Sequence, residues 1–244
     1  MSSPKTLPLW LIDLDNTIFD ASESMFSAIH DAMNHFIMER LNMTHDEACA
    51  LRAQYWRHYG ATYEGMWKHH RIHPNEFLKA THSFDLLAHV KKEGDPAAVI
   101  GALPGRKVLY TNSPRHYAET ILNYLDLQNS FDRLYTSTDS FYAGRWHAKP
   151  SEVVLRDIMR TFHVKPSECI LVDDSLFNLQ TAHQLGIRTV WVTGFRRAHG
   201  HGGEPYSLPY VTWRVNELKD LLRLQGVVPA KKPEPLKRNR FLIQ

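Results

Sequence analysis

Four short polar clusters in this 244-residue chain could do chemistry together: Asp13-Leu14-Asp15-Asn16-Thr17, Thr111-Asn112-Ser113, Lys149-Pro150-Ser151 and Asp173-Asp174-Ser175. Three of them end runs that read as buried strands, Leu9–Ile12, Lys107–Tyr110 and Cys169–Val172. Parallel strands would bring those ends to one crevice, where open α/β sheets bind their ligands. Four carboxylates there repel one another strongly unless a cation neutralises them. Mg²⁺ takes hard oxygen ligands and shares its shell with phosphate, so it suits such a site. A carboxylate can also act as a nucleophile and form an aspartyl-phosphate. The transferring group then needs a positioned cation, for which Lys149 at a helix start is a candidate. The Thr111 hydroxyl and the backbone N–H groups of Thr111 and Asn112 can hold phosphate oxygens. Each cluster alone has a plain structural explanation, a turn, a cap or a solvated lysine. Their joint occurrence at strand ends and helix starts carries the functional reading.

The elements that must position these groups alternate. Further apolar runs are Arg188–Val192 and a weaker one near Leu134. Between the runs, Ser113-Pro114 reads as an N-cap with a first-turn proline, followed by Tyr117, Ile121, Leu122 and Leu125 at helical spacing. Lys149-Pro150-Ser151 opens a helix carrying Val154, Leu155, Ile158 and Phe162, and Asp174-Ser175 opens another that Gly186 closes. This alternation predicts an α/β fold, a doubly wound, mostly parallel sheet. Residues 21–92 break the pattern with no convincing strand. Helical periodicity runs through Met25, Ile29, Met33, Phe36 and Ile37, and Thr44-His45-Asp46-Glu47 is a capping box. The expected organisation is a core of residues 1–20 and 93–228, an all-helical insertion at 21–92 after the first strand, and a basic tail at 229–244.

Asp13-Leu14-Asp15-Asn16-Thr17, Thr111-Asn112, Lys149-Pro150 and Asp173-Asp174 with Asn178 resemble the four motifs of the haloacid dehalogenase superfamily, and the helical insertion is similar to that superfamily's cap. The resemblance spans about Leu9 to Thr193. It implies Asp13 as nucleophile, Asp15 as general acid and base, Thr111 and Asn112 as phosphoryl holders, and Lys149 as the cation between nucleophile and phosphate. It further implies Mg²⁺ held by the Asp13 side chain, the Asp15 carbonyl oxygen and Asp174, with Asp173 as a further ligand or acting through water. True dehalogenases of the superfamily lack an acid two residues after the nucleophile, because halide leaves without a proton. A phosphate ester leaves as an alkoxide and gains from protonation, so Asp15 favours a phosphomonoester hydrolase. The segment Tyr55–Met66 is similar to the cap of the pyrimidine 5′-nucleotidase branch, which implies nucleoside 5′-monophosphate substrates. Tyr55, Tyr59 and Met66 either meet a base or pack between cap helices.

Composition narrows the alternatives. The formal charge of +3 comes from the tail, which from Lys231 carries five Lys or Arg and one Glu, so the rest of the chain sits near −1. A folded part without basic bias argues against nucleic acid as a partner. Two cysteines make neither a disulfide framework nor a zinc site. Asp13 cuts short the apolar run Leu9–Ile12, and no stretch approaches the roughly 20 apolar residues of a membrane helix. These features predict a cytoplasmic protein with a small-molecule phosphate ester as its partner. His199-Gly200-His201-Gly202-Gly203 reads as a solvated turn, and His69, His70 and His73 as surface or packing residues. A phosphatase or mutase for a sugar phosphate, and a phosphoacceptor or scaffold module, remain the alternatives. Receiver-type modules place their lysine after the acid pair, whereas Lys149 precedes Asp173-Asp174.

Overall fold

The structure, a computed structural model, describes residues 7–22, 24–195, 207–224 and 227; the His199–Gly203 turn and the basic tail from 229 lie outside the described residues. Strand β1 (Leu9–Ile12) is followed by four helices, α1 (Met25–Leu41), α2 (His45–Tyr59), α3 (Thr62–His70) and α4 (Pro74–Thr81). A short helix α5 (Pro96–Ala102) leads into β2 (Arg106–Tyr110), α6 (Arg115–Tyr124) and β3 (Arg133–Tyr135). A small hairpin, β4 (Phe141–Tyr142) and β5 (Arg145–Trp146), precedes α7 (Glu152–Phe162), β6 (Cys169–Asp173), α8 (Leu176–Gln184), β7 (Arg188–Val192) and β8 (Trp213–Val215).

Six strands form one parallel sheet in the order β3-β2-β1-β6-β7-β8. The chain winds outward from β1 to β3 on one side, then crosses to β6 on the other. The order therefore reverses at β1, and a crevice opens beyond its carboxyl end. Ile12 pairs with Leu109 and with Val172, which sets Asp13 level with the ends of both neighbouring strands. The Asp13 N–H donates to the Val172 carbonyl at 3.0 Å and continues the ladder one residue further.

Alternation along β1 builds two cores. Trp10 and Ile12 face one layer with Tyr117, Ile121 and Leu122 of α6, while Leu9 and Leu11 face the other with Val154, Leu155 and Ile158 of α7. All four strand residues are buried, which is what a parallel sheet covered on both faces requires. Each such Leu or Ile contributes about 1.5–3 kcal/mol by leaving water. The doubly wound expectation is met.

Residues 21–92 contain no strand among the described residues. The capping box at Thr44 forms, with the Glu47 N–H donating to Thr44 Oγ1 and the Thr44 N–H to Glu47. Ile37, Ala48, Tyr55, Tyr63, Met66, Phe77 and Leu78 make a third core between α1, α2, α3 and α4. The helix start at Ser113-Pro114 differs from expectation: Pro114 is the N-cap, and no side chain caps α6. Ser113 lies one residue before the cap position, and its hydroxyl donates to Asp15, a partner 98 residues away. The β4–β5 hairpin and the edge strand β8 are too short for an apolar pattern and were not expected.

Two helical glycines give opposite predictions. A Cβ on Gly65 in α3 would lie 2.2 Å from Cγ of the Tyr55 ring, whereas one on Gly101 in α5 meets nothing within 4 Å. Gly65→Ala is expected to destabilise the protein by about 1–3 kcal/mol through overpacking. Gly101→Ala is expected to stabilise it by up to about 1 kcal/mol through helix propensity. Urea unfolding of the two variants beside the wild type measures both signs; a stabilising Gly65→Ala would refute the packing.

Candidate active site

The turn after β1 is shaped by Asn16, which adopts a left-handed conformation at φ 57° that asparagine tolerates better than most residues. Its Oδ1 accepts from the Ala21 N–H at 3.0 Å and from the Ser22 hydroxyl at 2.8 Å, fixing the loop where the chain leaves the sheet. This turn holds Asp13 and Asp15 beyond β1. Asp13 is buried, with Oδ1 accepting from Lys149 Nζ at 2.5 Å and Oδ2 from the Thr17 hydroxyl at 3.2 Å. Burial pushes its pKa well above the usual carboxylate range. Lys149 opposes that shift, while Asp173, Asp174 and Asp15 add to it.

Lys149 is 4% exposed, and its ammonium donates to Asp13 Oδ1, to the Tyr110 carbonyl at 2.9 Å and to Asp173 Oδ2 at 3.0 Å. An ammonium has three donors, so all three are satisfied. Burial alone would lower its pKa, but Asp13 and Asp173 outweigh it and the net shift is upward, so the side chain is charged. Its backbone is gripped as well. The Lys149 N–H donates to Asn112 Oδ1 at 2.6 Å, and Asn112 Nδ2 donates to the Lys149 carbonyl at 3.2 Å. The Asn112 side chain thus lies on the Lys149 peptide. Thr111 is buried beside it, and its hydroxyl oxygen accepts from the Ser113 N–H at 3.0 Å.

Asp173, fully buried at the end of β6, accepts four hydrogen bonds. Oδ1 takes the Ser175 N–H at 2.8 Å and Asn178 Nδ2 at 3.0 Å; Oδ2 takes Lys149 and, at 3.1 Å, the same Asn178 nitrogen. Asp174 is half-buried, and its carbonyl accepts from the Trp191 indole at 3.0 Å. Carboxylate oxygens of Asp13, Asp173 and Asp174 lie within 4.8 Å of one another. Asp15 completes the set: Tyr117 donates to Oδ1 at 2.5 Å and Ser113 to Oδ2 at 2.6 Å. Burial raises its pKa against the pull of those two hydrogen bonds.

Carboxylates gathered this closely repel one another. At an effective dielectric near 20, two carboxylates about 5 Å apart repel by roughly 3 kcal/mol. Hard oxygen donors gathered this closely fit a divalent cation. The crevice therefore brings together Asp13, Asp15, Thr111, Asn112, Lys149, Asp173 and Asp174, all named from sequence. It does not do so for every residue of the helical segment. Tyr55 and Met66 lie in the third core, while Tyr59 is half-exposed and donates or accepts at His69 Nε2, 2.7 Å away.

The helical unit touches the Lys149 loop directly. Glu64 accepts from the Ala148 N–H, and Gly60 packs so tightly on the Lys149 carbonyl that a Cβ would come within 2.5 Å of it. Beside that contact lies a cleft of about 700 Å³ lined by Tyr59, Glu64, Trp67, Lys68, Arg145 and Trp146 among others.

The sequence matches the family profile of haloacid dehalogenase-like hydrolases over residues 9–186, a span that holds the whole crevice. The chain belongs to this family. As a haloacid dehalogenase-like hydrolase it also has solved structural neighbours. A HAD phosphatase from Thermococcus onnurineus superposes with TM-score 0.62 at 18% identity, covering 91% of this chain and 99% of that one. The haloacid dehalogenase-like family protein SP0104 from Streptococcus pneumoniae gives 0.58 at 15%, covering 89% and 97%. L-2-haloacid dehalogenase from Xanthobacter autotrophicus gives 0.54 at 17%, covering 89% and 98%. At these identities the likeness is one of fold. Among the described residues of this hydrolase, no helix is long and apolar enough to cross a membrane.

Tyr117 and Glu64 are site residues that sequence reading misses. Tyr117 fits the apolar face of α6 and looks like a core aromatic, while Glu64 looks like a first-turn acid. Their partners are 102 and 84 residues away, so no local pattern marks them.

The clustering of these carboxylate oxygens predicts that a divalent cation stabilises the protein. At ten times its Kd, Mg²⁺ should add about 1.4 kcal/mol, with a matching rise in Tm. Asp174→Asn should abolish that rise. Thermal melts in MgCl₂ and in chelator measure it, and an unchanged Tm across a wide Mg²⁺ range would count against a cation site.

Proposed function

We propose that this protein is a Mg²⁺-dependent phosphomonoester hydrolase working through an aspartyl-phosphate on Asp13, with pyrimidine nucleoside 5′-monophosphates as its substrates. The observation that carries the reading is Asp15, a half-buried carboxyl two residues beyond Asp13, gripped at both oxygens. Loss of halide needs no proton, whereas loss of an alkoxide does.

In the first half-reaction an Asp13 oxygen bonds to phosphorus, the P–O ester bond breaks, and Asp15 delivers its proton to the leaving oxygen. In the second, Asp15 takes a proton from water, the water oxygen bonds to phosphorus, and the P–O bond to Asp13 breaks. Inorganic phosphate leaves and Asp13 is restored. Lys149 holds the attacking carboxylate in place and offsets charge between it and the phosphoryl group. The Thr111 hydroxyl and the Asn112 N–H receive phosphoryl oxygens. The donor set fits Mg²⁺ on the Asp13 side chain, the Asp15 carbonyl oxygen and Asp174, where it would supply positive charge to the phosphoryl oxygens. A carboxylate has about four acceptor sites, and those of Asp173 are filled by Lys149, Ser175 and Asn178. Asp173 therefore orients Lys149 rather than binding the metal.

The boundaries that suit this reading are a catalytic core of residues 1–20 and 93–228 and a cap of 21–92. Support for a pyrimidine nucleotide is the cap resemblance together with Tyr59 and Trp67, which line the cleft beside the Lys149 loop and could meet a base. Tyr55 and Met66 are buried in the third core, and the Tyr55 ring lies 6.0 Å from that of Tyr59.

Phosphate release with Mg²⁺ from UMP, CMP, AMP, GMP and sugar phosphates, with 2-haloacids as a dehalogenation control, tests the reading. UMP and CMP are expected to exceed AMP and GMP in kcat/KM, and turnover should stop in chelator. Equal purine and pyrimidine values would remove the base preference, a sugar phosphate far ahead would remove the nucleotidase reading, and halide release would remove the phosphatase.

The division of labour between the two acids has its own signature. Asp13→Asn should abolish turnover of every substrate, since an amide is a poor nucleophile. Asp15→Asn should slow phosphoenzyme formation from UMP by roughly 10²–10⁴-fold. With p-nitrophenyl phosphate, whose leaving group departs unaided, the same variant should give a burst of about one equivalent, in keeping with a stalled phosphoenzyme. Rapid quench and intact-mass analysis would show the adduct on Asp13. An equal loss with both substrates and no adduct would eliminate Asp15 as acid and base.

A further inference from the structure

Helix α6 presents two hydroxyls to one carboxylate. Ser113 and Tyr117, four residues apart at its start, donate to the two different oxygens of Asp15 at 2.6 and 2.5 Å. Neither arrangement is the local default. Ser113 stands one residue before the N-cap of α6, and Tyr117, fully buried among Ala118, Ile121 and Leu122, carries its hydroxyl out of an otherwise apolar layer.

The Tyr117 ring is itself fixed from the helical unit. His82, the residue that ends α4, meets it edge-to-face at 5.6 Å and 89°. His82 is buried and held on several sides: its Nδ1 lies 3.1 Å from the Leu78 carbonyl and 2.9 Å from the Thr81 hydroxyl, and its carbonyl lies 3.2 Å from His116 Nε2. A ring pinned in this way has no freedom to carry its hydroxyl away from Asp15.

We propose that Tyr117, with Ser113, is a positioning residue for the acid–base chemistry of Asp15, a two-point clamp that holds the carboxyl in one orientation through both half-reactions. The proposal rests on the phosphatase reading above. Its chemical logic lies in the donors being hydroxyls. A hydroxyl can donate to a carboxylate and, after a turn of its O–H, accept from a carboxylic acid. The clamp therefore fits Asp15 before it gives its proton to the leaving oxygen and after, with no movement of heavy atoms. A lysine or a backbone N–H can only donate, so neither can accept from the O–H of the protonated acid. Fixed orientation matters because proton transfer depends on holding donor and acceptor within hydrogen-bond reach.

The test uses the full chain with saturating Mg²⁺ and phosphate esters graded by leaving group, from p-nitrophenyl phosphate through phenyl phosphate to UMP. Tyr117→Phe removes one hydroxyl and keeps the ring on His82. It is expected to lower kcat/KM for UMP by roughly 10–100-fold. For p-nitrophenyl phosphate, kcat/KM should stay within about threefold, because phosphorylation by that ester needs no acid. Its kcat should fall, because the second half-reaction still needs Asp15 as base. Ser113→Ala, which frees the other oxygen, should show the same leaving-group split, and it decides the matter if Tyr117→Phe does not fold. Loss by one common factor across all esters, or no loss in either variant, would overturn the clamp. An active wild type with such a result sinks the clamp alone; a wild type that releases phosphate from no ester sinks the phosphatase reading and the clamp with it.

Discussion

The site depends on one buried ammonium. Lys149 lies between Asp13 and Asp173, and its third proton goes to the Tyr110 carbonyl at the end of β2. Two buried carboxylates this close would otherwise force each other to take up protons. A neutral Asp13 could not serve as the nucleophile proposed above. Truncating a partner in a buried ion pair costs about 3–5 kcal/mol, because the remaining charge is stranded. Lys149 thus ties the ends of three neighbouring strands to one point, and the surrounding hydrogen bonds keep it there. Asn112 holds its peptide from below the crevice, while Glu64 and Gly60 of the helical unit meet the peptides around it.

The rest of the set follows from that tie. With Asp13 fixed by Lys149 on one oxygen and Thr17 on the other, the turn shaped by Asn16 carries Asp15 to the start of α6. There it is met by groups from a different layer of the fold. The two acids of the Asp-x-Asp pair are chemically alike, yet their surroundings differ in kind. Asp13 faces a cation and further carboxylates, while Asp15 faces two neutral hydroxyls. Burial raises both pKa values, and the partners decide what each carboxyl can do: one is held by charge, the other by hydrogen bonds that tolerate either protonation state.

Much of this is legible in the sequence, and what is legible shares a cause. Asp13, Thr111 and Asp173 end strands, so the apolar runs before them give away their positions. Lys149 is marked by the proline and serine that start α7, where Ser151 does cap the helix as its sequence suggests. Residues whose roles depend on a distant partner carry no such mark. Ser113 fits a cap by every local rule, but α6 starts one residue later, with Pro114 at the cap, and the Ser113 hydroxyl donates to a carboxylate delivered from β1. Tyr117 fits the apolar stripe of α6, and its ring is indeed there; only the hydroxyl has a second task. Tyr55 has the opposite history. An aromatic in a cap suggests a base, whereas its ring lies against the bare Cα of Gly65, a close approach that the glycine alone reveals once the helices are packed. Strands of two or three residues, such as those of the β4–β5 hairpin and β8, are shorter than one period of any useful pattern.

The register of the central strands has a further consequence for how such a protein can change. β1 is hydrogen-bonded to β2 and β6 at once, and the entire helical segment enters and leaves between β1 and β2. A slip of one residue in β1 would turn Asp13 away from Lys149 and exchange the two core faces, because side chains alternate along a strand. A loop of any length can join the ends of two strands already locked side by side, since closure entropy grows only slowly with length. The scaffold is thus rigid to a shift of one residue in four and permissive to a replacement of seventy. A different insertion could stand above such a crevice while Asp13 below kept its place.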